Sequence, residues 1–233
     1  MNYRHAFAKR FFSLSMLSAL CVGLTLWVTI APLSAEDVPP AAKAAAKKGF
    51  RSLLAAIPAD ALSHFNFTNT DEVNEAILGK GFRVYTIPPE LILNFDGRAS
   101  IREMIRPTSM WFFPIFSKGR VRTLLTVDLV KDEYHAVSIG GSGLARQWTR
   151  AHEMRPASGE YERVFVRVYQ AAADYVVMSD TVETRMASLQ AKDEKALMVQ
   201  GELTLRDPAD IIVGLQSTVR ENIDAARLMD GNR

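Results

Sequence analysis

Residues 111–130 run WFFPIFSKGRVRTLLTVDLV. Two runs rich in aromatic and β-branched residues, Trp111 to Phe116 and Val121 to Val130, flank Ser117-Lys118-Gly119, the pattern of a β-hairpin with a glycine in its turn. Side chains along a strand point alternately to opposite faces, and the first run is apolar on both. Something must cover both sides of such a strand, and helices are the expected cover. Pro114 brings no N–H to a ladder, so this strand is expected at a sheet edge or at a bulge.

Working outward, Phe82 to Ile87 has strand composition and stops at Pro88-Pro89, and Tyr134 to Ile139 forms a further strand. A second hairpin is expected from Glu162 to Gln170 and Tyr175 to Ser179, joined across Ala171 to Asp174. After a polar stretch, Ala196 to Leu205 alternates, with Leu197, Val199, Leu203 and Leu205 inward. Helices are expected over Thr70 to Gly79, from Leu144 to about Met154 with Leu144, Trp148 and Ala151 on one side, and after Asp207-Pro208 with Ile212, Leu215, Val219 and Ala226 in a stripe. Short connections, mostly hairpins, predict an α+β fold: a mainly antiparallel sheet of about five to seven strands packed with helices.

The first residues carry Arg4, His5, Lys9 and Arg10, then an apolar run from Phe11 to Leu33 and small residues up to Ala35. This is the layout of a secretory signal, or of an uncleaved anchor, over residues 1–35. Residues 36–48, rich in alanine, lysine and proline, are expected to form a tether, and 49–233 a single α+β domain. The one cysteine, Cys21, lies in the apolar run. The exported part thus lacks disulfides, thiol nucleophiles and zinc-thiolate sites. Three of the 28 basic residues precede Ala35, which leaves 25 against 26 acids. Near neutrality speaks against nucleic-acid binding.

Gly140-Gly141-Ser142-Gly143 joins a strand to a helix. Ser142 is the one candidate nucleophile, with His64, His135 and His152 as possible bases, but the hydrolase elbow G-x-S-x-G fails at its last position. The simpler expectation is that Ser142 caps the helix. The phosphate-loop lysine and the G-x-G-x-x-G spacing are absent, so no cofactor is expected. The histidines are isolated in sequence, so no metal site is expected.

Between Tyr161 and Tyr169, Val164, Val166 and Val168 alternate with Arg163, Phe165, Arg167 and Tyr169. If the valines face the core, the opposite face is a ladder of arginines and aromatics able to pair with carboxylate or phosphate groups or to stack on a ring. The competing expectation is that these side chains pair across the sheet. Arg146 and Arg150, one helical turn apart, form a second basic flank.

Together these features predict an exported module, periplasmic in a bacterial host, that binds without catalysis. Its partner would be an envelope protein or an anionic small molecule, met at Arg163, Phe165, Arg167, Tyr169, Arg146 and Arg150. The membrane would enter only through an uncleaved N-terminal segment. The alternatives are an exported serine hydrolase using Ser142 and a structural envelope protein on a membrane anchor.

Overall fold

Pro114 does lie at an irregularity, but in the middle of the sheet. The computed structural model describes residues 37–154, 161–189 and 203–230. Its strands are β1 (Ile77–Leu78), β2 (Phe82–Thr86), β3 (Arg106–Ser117), β4 (Arg120–Val130), β5 (Glu133–Gly140), β6 (Glu162–Val168), β7 (Ala173–Ser179) and β8 (Thr184–Ser188). They form one eight-stranded sheet in the order β5-β4-β3-β2-β6-β7-β8, with β1 paired to β3. Every pairing is antiparallel except β2 with β6. The α+β class and the antiparallel bias hold; the sheet is mixed, with one parallel pair, and has seven strands along its main path with the two-residue β1 beside them.

Of the two positions expected for Pro114, the edge fails, because β2 and β4 flank β3, and the bulge holds. Residues opposed in an antiparallel pair can exchange two hydrogen bonds. Gly79 N–H donates to the Pro114 carbonyl at 2.7 Å, and proline has no N–H to return. β1 pairs as Leu78↔Ile115 and β2 as Phe82↔Phe112. Between these pairs three residues, Gly79, Lys80 and Gly81, face two, Phe113 and Pro114. This is the count of a β-bulge, which ejects one residue from the ladder and bends the strand. β1 and β2 are in effect one strand broken where its neighbour lacks a donor.

Both sheet faces are covered, as the apolar runs require. On one face Trp111, Phe113, Ile115, Leu125 and Val127 pack under helix α1 (Pro40–Ala55), a 3-10 helix (Ala59–Phe65) and α2 (Thr70–Asn74). Farther along that face, Val164, Val166, Val168 and Val177 pack against α3 (Pro89–Leu93), α4 (Ile101–Met104) and the closing helix α6 (Pro208–Asp230). The opposite face carries Val84, Phe112, Leu124, Phe165, Val176 and Met178 under α5 (Ser142–Glu153).

Several local expectations are corrected. Residues 40–48 are no tether, for they are the first half of α1. Alanine is the best helix former, and proline is tolerated at the first helical position. Ala42, Ala46, Phe50 and Leu54 recur every four residues and are all buried. The stripe escapes notice because half of it is methyl groups. The helix expected from Thr70 to Gly79 stops at Asn74, with Asn69 rather than Thr70 as its cap, accepting from Glu72 N–H. Its intended last turn is used by β1, where pairing with β3 overrides local propensity. β8 arises in the stretch passed over as polar, since Met186 and Ala187 are fully buried there. Most of the strand expected over Ala196 to Leu205 falls outside the described residues; Leu203 is buried, Leu205 is 36% exposed and Arg206 makes a single bridge to Met186. The closing helix buries Ile212, Leu215 and Val219 as expected, and Asp207 accepts from Ala209 N–H. Ala226 is exposed, because the last turns of α6 run past the core. The signal or anchor segment lies outside the described residues.

One buried ion pair ties α2 to the sheet. Glu72, 4% exposed, accepts from Thr68 N–H and from Arg122 Nη2, each at 2.9 Å. The backbone bond from Thr68, outweighing the opposing effect of burial, and then Arg122 and Lys118 hold its carboxyl below the ordinary range. The pairing satisfies a charge that burial alone would penalise.

α1 lies close to β5 at Gly49: a Cβ built there would collide with the Cβ of Ala136. Glycine to alanine inside a helix normally stabilises by about 1 kcal/mol. Here Gly49→Ala should instead destabilise, by about 1–3 kcal/mol from overpacking, as read by urea denaturation. A gain in stability would mean that α1 does not lie at this distance.

Candidate functional site

The bulge at Gly79-Lys80-Gly81 borders a concavity on each face of the sheet. On the α1 side a cleft of about 530 Å³ is lined by Asp37, Val38, Lys43, Lys47, Leu78, Phe113 and the three bulge residues. Its floor is the buried ring of Phe113 with the half-buried side chains of Val38 and Leu78. Its rim is Lys43, Lys47 and Lys80, all exposed. Lys43 and Lys47 stand one turn apart on α1 and share a face. Asp37 leaves the four charged groups with a net excess of two positive charges.

Both glycines are needed for this arrangement. A Cβ at Gly81 would stand 2.6 Å from the Phe113 ring, and one at Gly79 would stand 2.6 Å from the Phe116 ring. The two aromatic rings lie directly over the backbone of the bulge, one on each face. Lys80 is left between them as the residue the ladder does not use.

On the α5 side a cleft of about 330 Å³ is lined by Phe82, Pro114, Phe116, Trp148, His152 and Arg163, among others. Phe82 stacks on Trp148 at 4.2 Å between centroids, and Phe165 meets Trp148 edge-on at 5.7 Å. His152 Nδ1 lies 3.1 Å from the Trp148 carbonyl. Burial, with a smaller effect from Arg163, depresses the imidazole's pKa against the opposing effect of that hydrogen bond.

The predicted ladder is found with partners of its own. Arg163 donates from Nε to the Ala151 carbonyl at 2.9 Å, from Nη2 to the Met154 carbonyl at 2.7 Å and from Nη1 to the Tyr161 carbonyl at 3.1 Å. It fastens the end of α5 to β6, where helix carbonyls lack intrahelical donors. Phe165 is 1% exposed, inside the aromatic cluster. Arg167 makes two bonds to its cross-strand neighbour Asp174, at 2.7 and 2.9 Å, and lies over the rings of Phe112 and Phe165. Tyr169 is 47% exposed and sits just past the end of β6. Arg146 and Arg150 lie on the exposed side of α5. The six residues do not converge on one open surface.

Ser142 does not cap α5. Gly141 takes the cap position with φ 68°, a left-handed conformation that glycine adopts without strain. Ser142 is the first helical residue, and its hydroxyl donates to the main-chain carbonyl of His64 at 2.9 Å. The contact is with the peptide of that histidine. His135 lies on β5 near Glu133, with Nε2 3.8 Å from its carboxylate. Among the described residues, no group of three or more His, Cys, Asp or Glu side chains converges where a metal ion could sit.

The rim lysines escaped the sequence-based search. For Lys80 a signal is present in hindsight: a lysine between two glycines. Comparison with protein-family models, with curated proteins and with solved structures gives no match to this chain.

Ser142→Ala should lower stability by about 1 kcal/mol through loss of the bond to the His64 carbonyl, and the wild-type protein should not react with a fluorophosphonate probe. Labelling that disappears in Ser142→Ala would make the serine a nucleophile and overturn this assignment.

Proposed function

We propose that the chain is an exported, non-catalytic binding module of the cell envelope that takes an anionic ligand in the cleft between α1 and the bulge. The observation that carries this is the placement of Lys43, Lys47 and Lys80 around a floor of Val38, Leu78 and Phe113. Lysines on a solvated surface attract an anion only weakly, about 1 kcal/mol for a charge pair at 4 Å in water. A concave apolar floor excludes water from one side of the ligand and strengthens the attraction. The cleft size falls within the range of small-molecule sites, about 300–1,000 Å³.

Export is supported by the basic start, the apolar run and the small residues that end at Ala35, and by a remainder without cysteine. The absence of catalysis is supported by how the polar groups are used. The Ser142 hydroxyl meets a carbonyl, Arg163 is tied to three carbonyls and Arg167 to Asp174.

A thermal-shift panel of small organic anions and cations tests the proposal. At a concentration one hundred times its Kd, a bound anion should stabilise by about 2.7 kcal/mol, a rise in Tm of about 5–10 °C for a chain of this size. The triple variant Lys43→Gln, Lys47→Gln, Lys80→Gln should keep the ligand-free Tm and lose the rise. Stabilisation by cations as well as anions, or an unchanged rise in the triple variant, would contradict it.

A further inference from the structure

We infer that the anion recognised by this cleft is a single-chain amphiphile, with a carboxylate among the three lysines and an alkyl tail along Val38, Leu78 and Phe113. The inference rests on the cleft being an anion site and adds what kind of anion it takes. Two features favour a tailed carboxylate over a phosphate or a polyanion. A main-chain phosphate nest is built from successive free N–H groups, and here Gly79 N–H is already given to the Pro114 carbonyl. The rim is also modest in charge, three lysines opposed by Asp37, which suits a monoanion.

The floor asks for an apolar group. Phe113 is 2% exposed in the free protein, and its ring comes so near Gly81 that a Cβ there would stand 2.6 Å from it. Leu78 ends the short β1 ladder beside it and remains half-buried. A tail laid here would remove the exposed parts of Val38 and Leu78 and its own methylenes from water, and each fully buried methylene should tighten binding about three- to fourfold. The lysines, on four-carbon stems, can reach over the tail while keeping their ammonium groups at the water boundary. A free fatty-acid-type carboxylate is the occupant proposed, since the apolar floor consists of three side chains and suits one chain.

The test uses the full chain as recovered from the host envelope and a dodecanoate bearing a terminal diazirine, kept below its aggregation threshold. Photolabelled peptides are mapped by mass spectrometry. Adducts are expected on the peptides holding Val38, Leu78 and Phe113, with competition strengthening steeply from hexanoate through octanoate and decanoate to dodecanoate. Labelling should fall at least fivefold in Lys43→Gln/Lys47→Gln. Gly81→Ala, which pushes the Phe113 ring aside, should flatten the chain-length dependence without removing the preference for anions. If acetate or inorganic phosphate competes as well as dodecanoate while the lysine variant still loses labelling, the cleft remains an anion site and the tail assignment fails. If a dodecylammonium diazirine labels the same peptides equally, or labelling is confined to residues 1–35, both fail. Displacement by phosphatidylglycerol vesicles in preference to free dodecanoate would replace the single-chain ligand by a lipid surface and overturn the inference.

Discussion

A proline inside a central strand is the constraint from which the rest of the architecture follows. Pro114 accepts a bond from Gly79 and cannot return one, so the ladder that β1 begins cannot continue past it. The chain answers by placing three residues against two and resuming its pairing at Phe82. A bulge of this kind is tolerated only if the rings beside it have somewhere to lie. Glycines at 79 and 81 provide that room, Phe116 over one and Phe113 over the other. The break in the sheet, the two clefts beside it and the outward position of Lys80 share this single origin.

What the sequence disclosed was the part carried by large apolar side chains. Trp111 to Phe116 and Val121 to Val130 pair as a hairpin, Val164, Val166 and Val168 face a helical layer, and Ile212, Leu215 and Val219 line the closing helix. These follow from periodicity, because burying such residues outweighs most local preferences. What it hid was carried by small residues and by pairing at a distance. The stripe of Ala42 and Ala46 has little hydrophobic contrast, yet a methyl face lets α1 lie so close to β5 that only glycine fits at 49. Ile77 and Leu78 belong to a helical pattern in sequence and to a strand in the fold, since β3 offers them a ladder. The parallel pairing of β2 with β6 joins Val84 to Phe165, far apart in the chain, and leaves no local mark.

The polar residues teach a related lesson about sites. Arginines alternating with aromatics suggested an open recognition face, and Ser142 among glycines suggested either a cap or a nucleophile. In the folded chain Arg163 closes the end of α5, Arg167 joins Asp174 across a hairpin, and Ser142 reaches the peptide of His64. Each was visible as chemistry in sequence and serves as a fastening in structure, because a buried or half-buried donor must find an acceptor. The lysines at 43, 47 and 80 had the opposite character. Ordinary in sequence and without a motif, they stand together only because α1 and the bulge bring them to one rim.

The most direct measurement of the central claim is the backbone register around Pro114, read from nuclear Overhauser contacts across the β1/β2 and β3 strands in solution. The bulge predicts contacts between Leu78 and Ile115 and between Phe82 and Phe112, with Lys80 opposite no ladder partner. Contacts in one unbroken register, with Lys80 opposite Phe113 and Gly81 opposite Phe112, would place Lys80 in the ladder and contradict the account.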